Sequence, residues 1–136
     1  MAEKLPVRIR IRGLGGGQRT DTVVSGELYR IGGKRIVRYP EPDAAMNGTM
    51  TTVKIGDGEI RVLRHGAVES EQGFVPGQTV RGFYRVGPLR LLLETQAESV
   101  EAVWKDAKGR VQWSYRLSVD GQAQGRYEID LEIEEL

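Results

Sequence analysis

Val7-Arg8-Ile9-Arg10-Ile11-Arg12 alternates apolar and charged residues, and in an extended chain that period of two puts aliphatic side chains on one face and three arginines on the other. Tyr127-Glu128-Ile129-Asp130-Leu131-Glu132-Ile133-Glu134 repeats the pattern with acidic residues in place of the arginines. Both read as half-buried strands. Runs of β-branched and aromatic residues predict further strands over 20–30, 35–40, 49–55, 59–65, 68–74, 79–86 and 110–119. Turn formers separate them: Gly13 to Gly17, which reads as a wide hairpin loop, then Gly32-Gly33, Asp57-Gly58, His65-Gly66, Pro76-Gly77, Asp106-Ala107-Lys108-Gly109 and Asp120-Gly121. They recur about every 8–14 residues, the rhythm of an antiparallel meander. Residues 40–48, proline-containing and weakly patterned, predict a surface loop or a single helical turn.

Residues 89–107 resist this reading. Leu89, Leu92, Leu93, Ala97, Val100, Val103, Trp104 and Ala107 fall at helical spacing in a stretch without glycine or proline, so an amphipathic helix fits. The alternative is two strands, 89–94 and 97–105, with a tight connection near Thr95-Gln96. A type I turn at Asp106 to Gly109 would then pair Trp104 with Val111 and Ala102 with Trp113. Local pattern leaves the two even.

Nine or more strands in series leave two open edges unless the first meets the last. Pairing 7–12 antiparallel to 128–133 sets Arg8, Arg10 and Arg12 opposite Glu132, Asp130 and Glu128, and Val7, Ile9 and Ile11 opposite Ile133, Leu131 and Ile129. Charge and apolar pattern therefore agree on closure. A two-residue Asp120-Gly121 turn would send Tyr127, Ile129 and Leu131 to the wrong face, so an extra residue is required. Gly125 is the expected bulge, unless the loop itself runs over 120–124.

The segment Gly58-Glu59-Ile60 through Val62, Arg64, Gly66, Phe74 and Gly77, followed by Tyr84 and by Gly87 leading into residues 89–94, resembles the YwiB-like family of bacterial calycin-type β-barrels. Thr51-Thr52-Val53-Lys54-Ile55 before it and the hairpin from Gly109-Arg110-Val111 to Val119-Asp120-Gly121 after it fit the same order. The resemblance spans nearly the whole chain. It implies an all-β fold, one up-and-down antiparallel barrel of lipocalin type with about 8–10 strands over residues 1–136, and it decides 89–107 for strands. The family is one of unknown function and carries no catalytic or binding residues over to this chain.

Composition narrows the chemistry. The 136 residues contain no cysteine and one histidine, which removes disulfides, thiolate nucleophiles and clustered thiolate or imidazole metal sites. Neither a signal peptide nor a membrane span is visible, and a cytoplasmic location is expected. Net charge is +1, with 20 basic and 19 acidic residues. The near balance argues against a general nucleic-acid binder. The halves differ, however: residues 1–68 hold 12 basic and seven acidic residues, residues 69–136 eight and 12.

Small barrels either fill their interior or enclose one small ligand. Tyr84, Trp104, Trp113, Tyr115 and Tyr127 fall on the inner face, where they either pack the core or line a lumen. Arg64 follows Ile60 and Val62 on that face, where alternation predicts an apolar residue. Either it ends its strand and meets water, or its guanidinium anchors the carboxylate of an apolar or amphiphilic ligand. A second reading places single-stranded nucleic acid on Arg30, Arg35, Arg38 and Tyr39; a third is a filled barrel acting through its surface as a protein-interaction module. His65 beside Glu69 and Glu71 lacks a nucleophile in a G-x-S-x-G elbow. Gly13-Leu14-Gly15-Gly16-Gly17-Gln18 lacks the third glycine and the following helix of a nucleotide loop. No enzyme, cofactor or metal is expected, and the oligomeric state is not encoded in any visible pattern.

Overall fold

The computed structural model describes residues 3–136. It contains β1 (Glu3–Gly15), β2 (Gln18–Ile31), β3 (Lys34–Pro40), β4 (Thr49–Gly56), β5 (Glu59–Gly66), β6 (Val68–Phe74), β7 (Thr79–Val86), β8 (Leu89–Lys105), β9 (Lys108–Val119) and β10 (Gln122–Glu135), with one 3₁₀ turn, Ala44–Met46. Each strand pairs antiparallel with the next, and β1 pairs with β10, so the sheet closes into an all-β, up-and-down barrel. The inward row holds Val7, Ile9, Leu28, Val37, Val53, Ile60, Phe74, Val111, Leu131 and Ile133, each no more than 1% exposed. Burying one such side chain contributes about 1.5–3 kcal/mol, so the stability resides inside the barrel rather than in its surface charges.

The closing pair keeps the predicted faces but lies two residues along: Arg8 faces Glu134, Arg10 faces Glu132 and Arg12 faces Asp130. The acidic stripe repeats every second residue from Glu128 to Glu134, so a slide of two leaves charge and face unchanged. In this register β1 continues to Gly15, opposite Tyr127. The Tyr127 ring occupies the space where a Cβ on Gly15 would stand. Arg8 pairs with Glu134 (3.3 Å) and Arg12 with Glu132, whereas Arg10 turns to Asp21 of β2 in a bidentate contact (2.9 and 2.7 Å).

Residues 89–105 form one continuous strand, not two strands with a connection at Thr95-Gln96. A bulge at Glu98 shifts the ladder between Ala97 opposite Tyr115 and Ser99 opposite Ser114. Inward positions therefore run Leu91, Leu93, Thr95, Ala97, then Val100, Ala102 and Trp104. The step of three from Ala97 to Val100, together with the exposed apolar residues Leu92 and Val103, mimics helical spacing. The β8–β9 turn is the two-residue Asp106-Ala107, with Asp106 at φ 57°. Trp104 therefore faces Gly109, and Ala102 faces Val111, again two residues from the predicted register. Gly109 is needed there because the Trp104 indole lies over it.

At β9–β10 the expected irregularity is present. Asp120 and Gly121 make a two-residue turn, both at positive φ, and the ladder shifts between Ala123 and Gly125. Gln124 is the extra residue, Gly125 sits at φ 110°, and Tyr127, Ile129 and Leu131 return to the inside. The first hairpin is tighter than a wide loop: only Gly16 and Gly17, at φ 59° and 74°, separate β1 from β2.

Strand direction sorts the connections into two rims. The upper rim carries the β1–β2, β5–β6, β7–β8 and β9–β10 turns and the 41–48 segment; the lower rim carries the others. Asp43 accepts from the Ala45 N–H (2.9 Å) and caps the 3₁₀ turn, so residues 40–48 combine the expected loop with a single helical turn.

A lumen beneath the upper rim

A hollow of about 410 Å³ lies inside the barrel under residues 41–46. Its apolar wall is made by Val53, Val62, Phe74, Ile129 and Leu131, and Trp113 and Tyr115 add aromatic surface. These residues come together because each occupies the inward parity of its own strand. Phe74 packs tilted against Tyr115 (centroids 4.7 Å apart) and Trp113 (5.7 Å), and Tyr115 stacks on Tyr127 (5.6 Å, planes 19° apart). The Trp113 Nε1–H is buried without a hydrogen-bond partner among the described residues.

The hollow also has a polar lining. Tyr39, Glu41, Arg64 and Gln72 converge there from β3, the loop after it, β5 and β6. Glu41 is fixed by its backbone N–H donating to the Thr49 carbonyl (2.9 Å) and by the Thr51 hydroxyl donating to its Oε2 (2.6 Å). Arg64 Nε stands 3.6 Å from the same oxygen, close enough for charge pairing and too far for a hydrogen bond. The Arg64 and Glu41 side chains are only 22% and 12% exposed, so solvent screens the pair weakly. Burial pushes the Tyr115 hydroxyl up to about 12, against the opposing pull of the Arg64 charge. Burial likewise raises Tyr39, and the Glu41 charge adds to it. Both phenols are therefore neutral near pH 7.

Arg64, Trp113 and Tyr115 meet at this hollow, as the inward-face reading expects, and Tyr127 supports it by stacking. Tyr84 and Trp104 do not line it. Tyr84 stands two strands from Arg64, opposite Ser70, which faces Arg64 in turn. Trp104 is at the lower rim, with the Arg35 guanidinium 4.6 Å above its ring. The Arg/Tyr alternative is dispersed: Arg30 pairs with Glu3 (2.7 Å), Arg35 covers Trp104, Tyr39 is buried in the lumen, and Arg38 alone faces outward on the middle of β3. On the outer face Glu69 pairs with Arg85 and Glu71 with Arg61, while His65 is exposed.

Sequence reading missed Glu41, Gln72, Thr20 and Thr22 as lining residues. Gln72 was within reach, because it shares parity with Val68, Ser70 and Phe74 against outward Glu69 and Glu71. Glu41 lies in the unpatterned loop, where periodicity carries no signal. Hollows of 610 and 860 Å³ follow the outer surface of β8, β9, β10, β1 and β2, where Arg10–Asp21 and Arg110–Asp130 pair with one another, and one of 590 Å³ lies at the lower rim beside Arg35 and Trp104.

Closed topology and inward parity define an antiparallel β-barrel with a partly open hollow beneath its upper rim. Residues 7–131 match the family described as "Domain of unknown function (DUF1934)", and the chain belongs to that family. The uncharacterized beta-barrel protein YwiB of Bacillus subtilis (strain 168) is 24% identical over 138 residues, covering 98% of this chain and 96% of the relative. The crystal structure of the ywiB protein from Bacillus subtilis superposes with a TM-score of 0.81 at 23% identity, covering 99% of this chain and 93% of that one. The shared fold is established by these matches.

Proposed function

We propose that this protein is a non-enzymatic cytoplasmic binding barrel whose lumen takes one small amphiphilic molecule, its apolar part against Phe74, Trp113 and Leu131 and its polar end at Arg64. The observation that carries this reading is the hollow itself: about 410 Å³, lined by apolar and aromatic side chains together with the polar groups of Tyr39, Glu41, Arg64 and Gln72. That combination is the usual anatomy of a small-ligand site, and the volume falls in the usual range of about 300–1,000 Å³. The outward stripes of arginine and carboxylate on β1 and β10 stand where a lipid-facing barrel would carry apolar side chains. No helix among the described residues is long and apolar enough to cross a membrane.

Native mass spectrometry of gently purified protein tests the reading. A small mass is expected on the wild type and not on Val62→Trp, which fills the hollow. Wild-type protein that is bare, and whose Trp113 fluorescence in a Trp104→Phe background is unmoved by the compounds named below, would remove the proposal.

A further inference from the structure

From the pairing of Glu41 with Arg64 we infer that the lumen ligand is net neutral at its polar end, with an acceptor beside a donor as in an amide or lactam, rather than a free carboxylate. This rests on the lumen reading and specifies its ligand. An arginine alone in the hollow would call for an anion. Here its charge is already balanced by Glu41, which is itself less exposed than the arginine. A ligand carboxylate would make the buried set two anions and one cation, and a ligand ammonium two cations and one anion; either leaves an uncompensated charge where screening is weak. An amide adds no charge. Its carbonyl oxygen suits the donor-only guanidinium, and its N–H suits the acceptor-only carboxylate.

The local geometry fits that division. Both contacts of Glu41 fall on Oε2, from Thr51 and from Arg64, which leaves Oε1 as an acceptor edge. Arg64 Nε is buried against Glu41 Oε2, which leaves the terminal nitrogens of the guanidinium as its donors toward a ligand. The other titratable groups facing the hollow do not change the balance. Tyr39 and Tyr115 are neutral phenols near pH 7, and Asp43 is exposed on the loop with an oxygen committed to the 3₁₀ turn. Gln72 supplies a further neutral donor and acceptor.

Three compounds of one shape separate the charge states: 3-phenylpropanamide, 3-phenylpropanoate and 3-phenylpropylammonium. Their binding is followed by Trp113 fluorescence in full-length Trp104→Phe protein at pH 7. The amide is expected to bind about tenfold more tightly than either ion, because each ion would leave the buried set charged. Glu41→Gln should move the preference to the carboxylate, and Arg64→Gln should move it to the ammonium. A structural role alone would weaken all three compounds together without reordering them. Carboxylate preferred by the wild type, or an order unchanged by both substitutions, overturns the inference while leaving the lumen reading standing. Failure of all three compounds to perturb Trp113 in any variant overturns the inference, and together with bare wild-type protein in native mass spectrometry it removes the lumen reading as well.

Discussion

Phe74→Ala tests whether the barrel interior is a packed solid around its hollow. Phe74 is 1% exposed and touches two aromatic rings, Trp113 and Tyr115. Truncating a buried phenylalanine costs about 3–5 kcal/mol. The two tilted contacts account for about 0.5–1.5 kcal/mol each of that cost. The appropriate reference is Phe83→Ala, because Phe83 is half-buried on the outer face, where its main partner is the Arg90 guanidinium 5.1 Å from the ring centroid. Its loss should be about 1 kcal/mol, from partial burial and an exposed cation–π contact. Equilibrium urea unfolding followed by far-ultraviolet circular dichroism measures both. The Phe74 variant should show a lower midpoint at an unchanged slope, since the fold and the surface exposed on unfolding are retained. If Phe74→Ala costs no more than Phe83→Ala, the aromatic cluster does not hold the lumen wall, and the packing argument fails.

Deleting Gln124 removes the bulge that restores parity in β10, so Tyr127, Ile129 and Leu131 would turn outward together. Loss of the near-ultraviolet signal and a shift to large species on gel filtration are expected, whereas Gln124→Ala should be nearly silent in the same measurements. The acid limb depends in part on Asp130. Burial raises its carboxyl, but the Arg110 hydrogen bond and the charges of Arg110 and Arg12 outweigh this and hold it below its ordinary value. Its contribution is therefore complete above pH about 4, the unfolded value, and is lost as pH falls through the lower folded one. Asp130→Asn should flatten the fall in Tm below about pH 4; an unchanged acid limb would show that this carboxylate is not linked to folding.

Period-two patterning made most strands legible, because half-buried strands need one apolar face. It also located the Gly125 irregularity, since parity must be conserved around a closed sheet. The same periodicity could not count in units of two, which is why both the β1–β10 and β8–β9 registers lie two residues from expectation while every inward residue keeps its face. Within β8, Glu98 breaks the period in a strand too long for a local window to phase. For the site, parity found Arg64, Trp113 and Tyr115. It could not reveal Glu41, which reaches the lumen only through the path of the 41–48 segment, so the neutralisation of Arg64 was invisible before the fold was known.

The basic stripe of β1 against the acidic stripe of β10 governs how assembly can go wrong. Every other pairing joins strands adjacent in sequence, so this seam is the one strand pairing made between distant parts of the chain, and its loop-closure entropy is the largest. Before it closes, the sheet has one cationic edge and one anionic edge. Two molecules therefore repel through identical edges yet attract head to tail, and crowded refolding would yield strand-exchanged rings or open chains rather than symmetric face-to-face pairs.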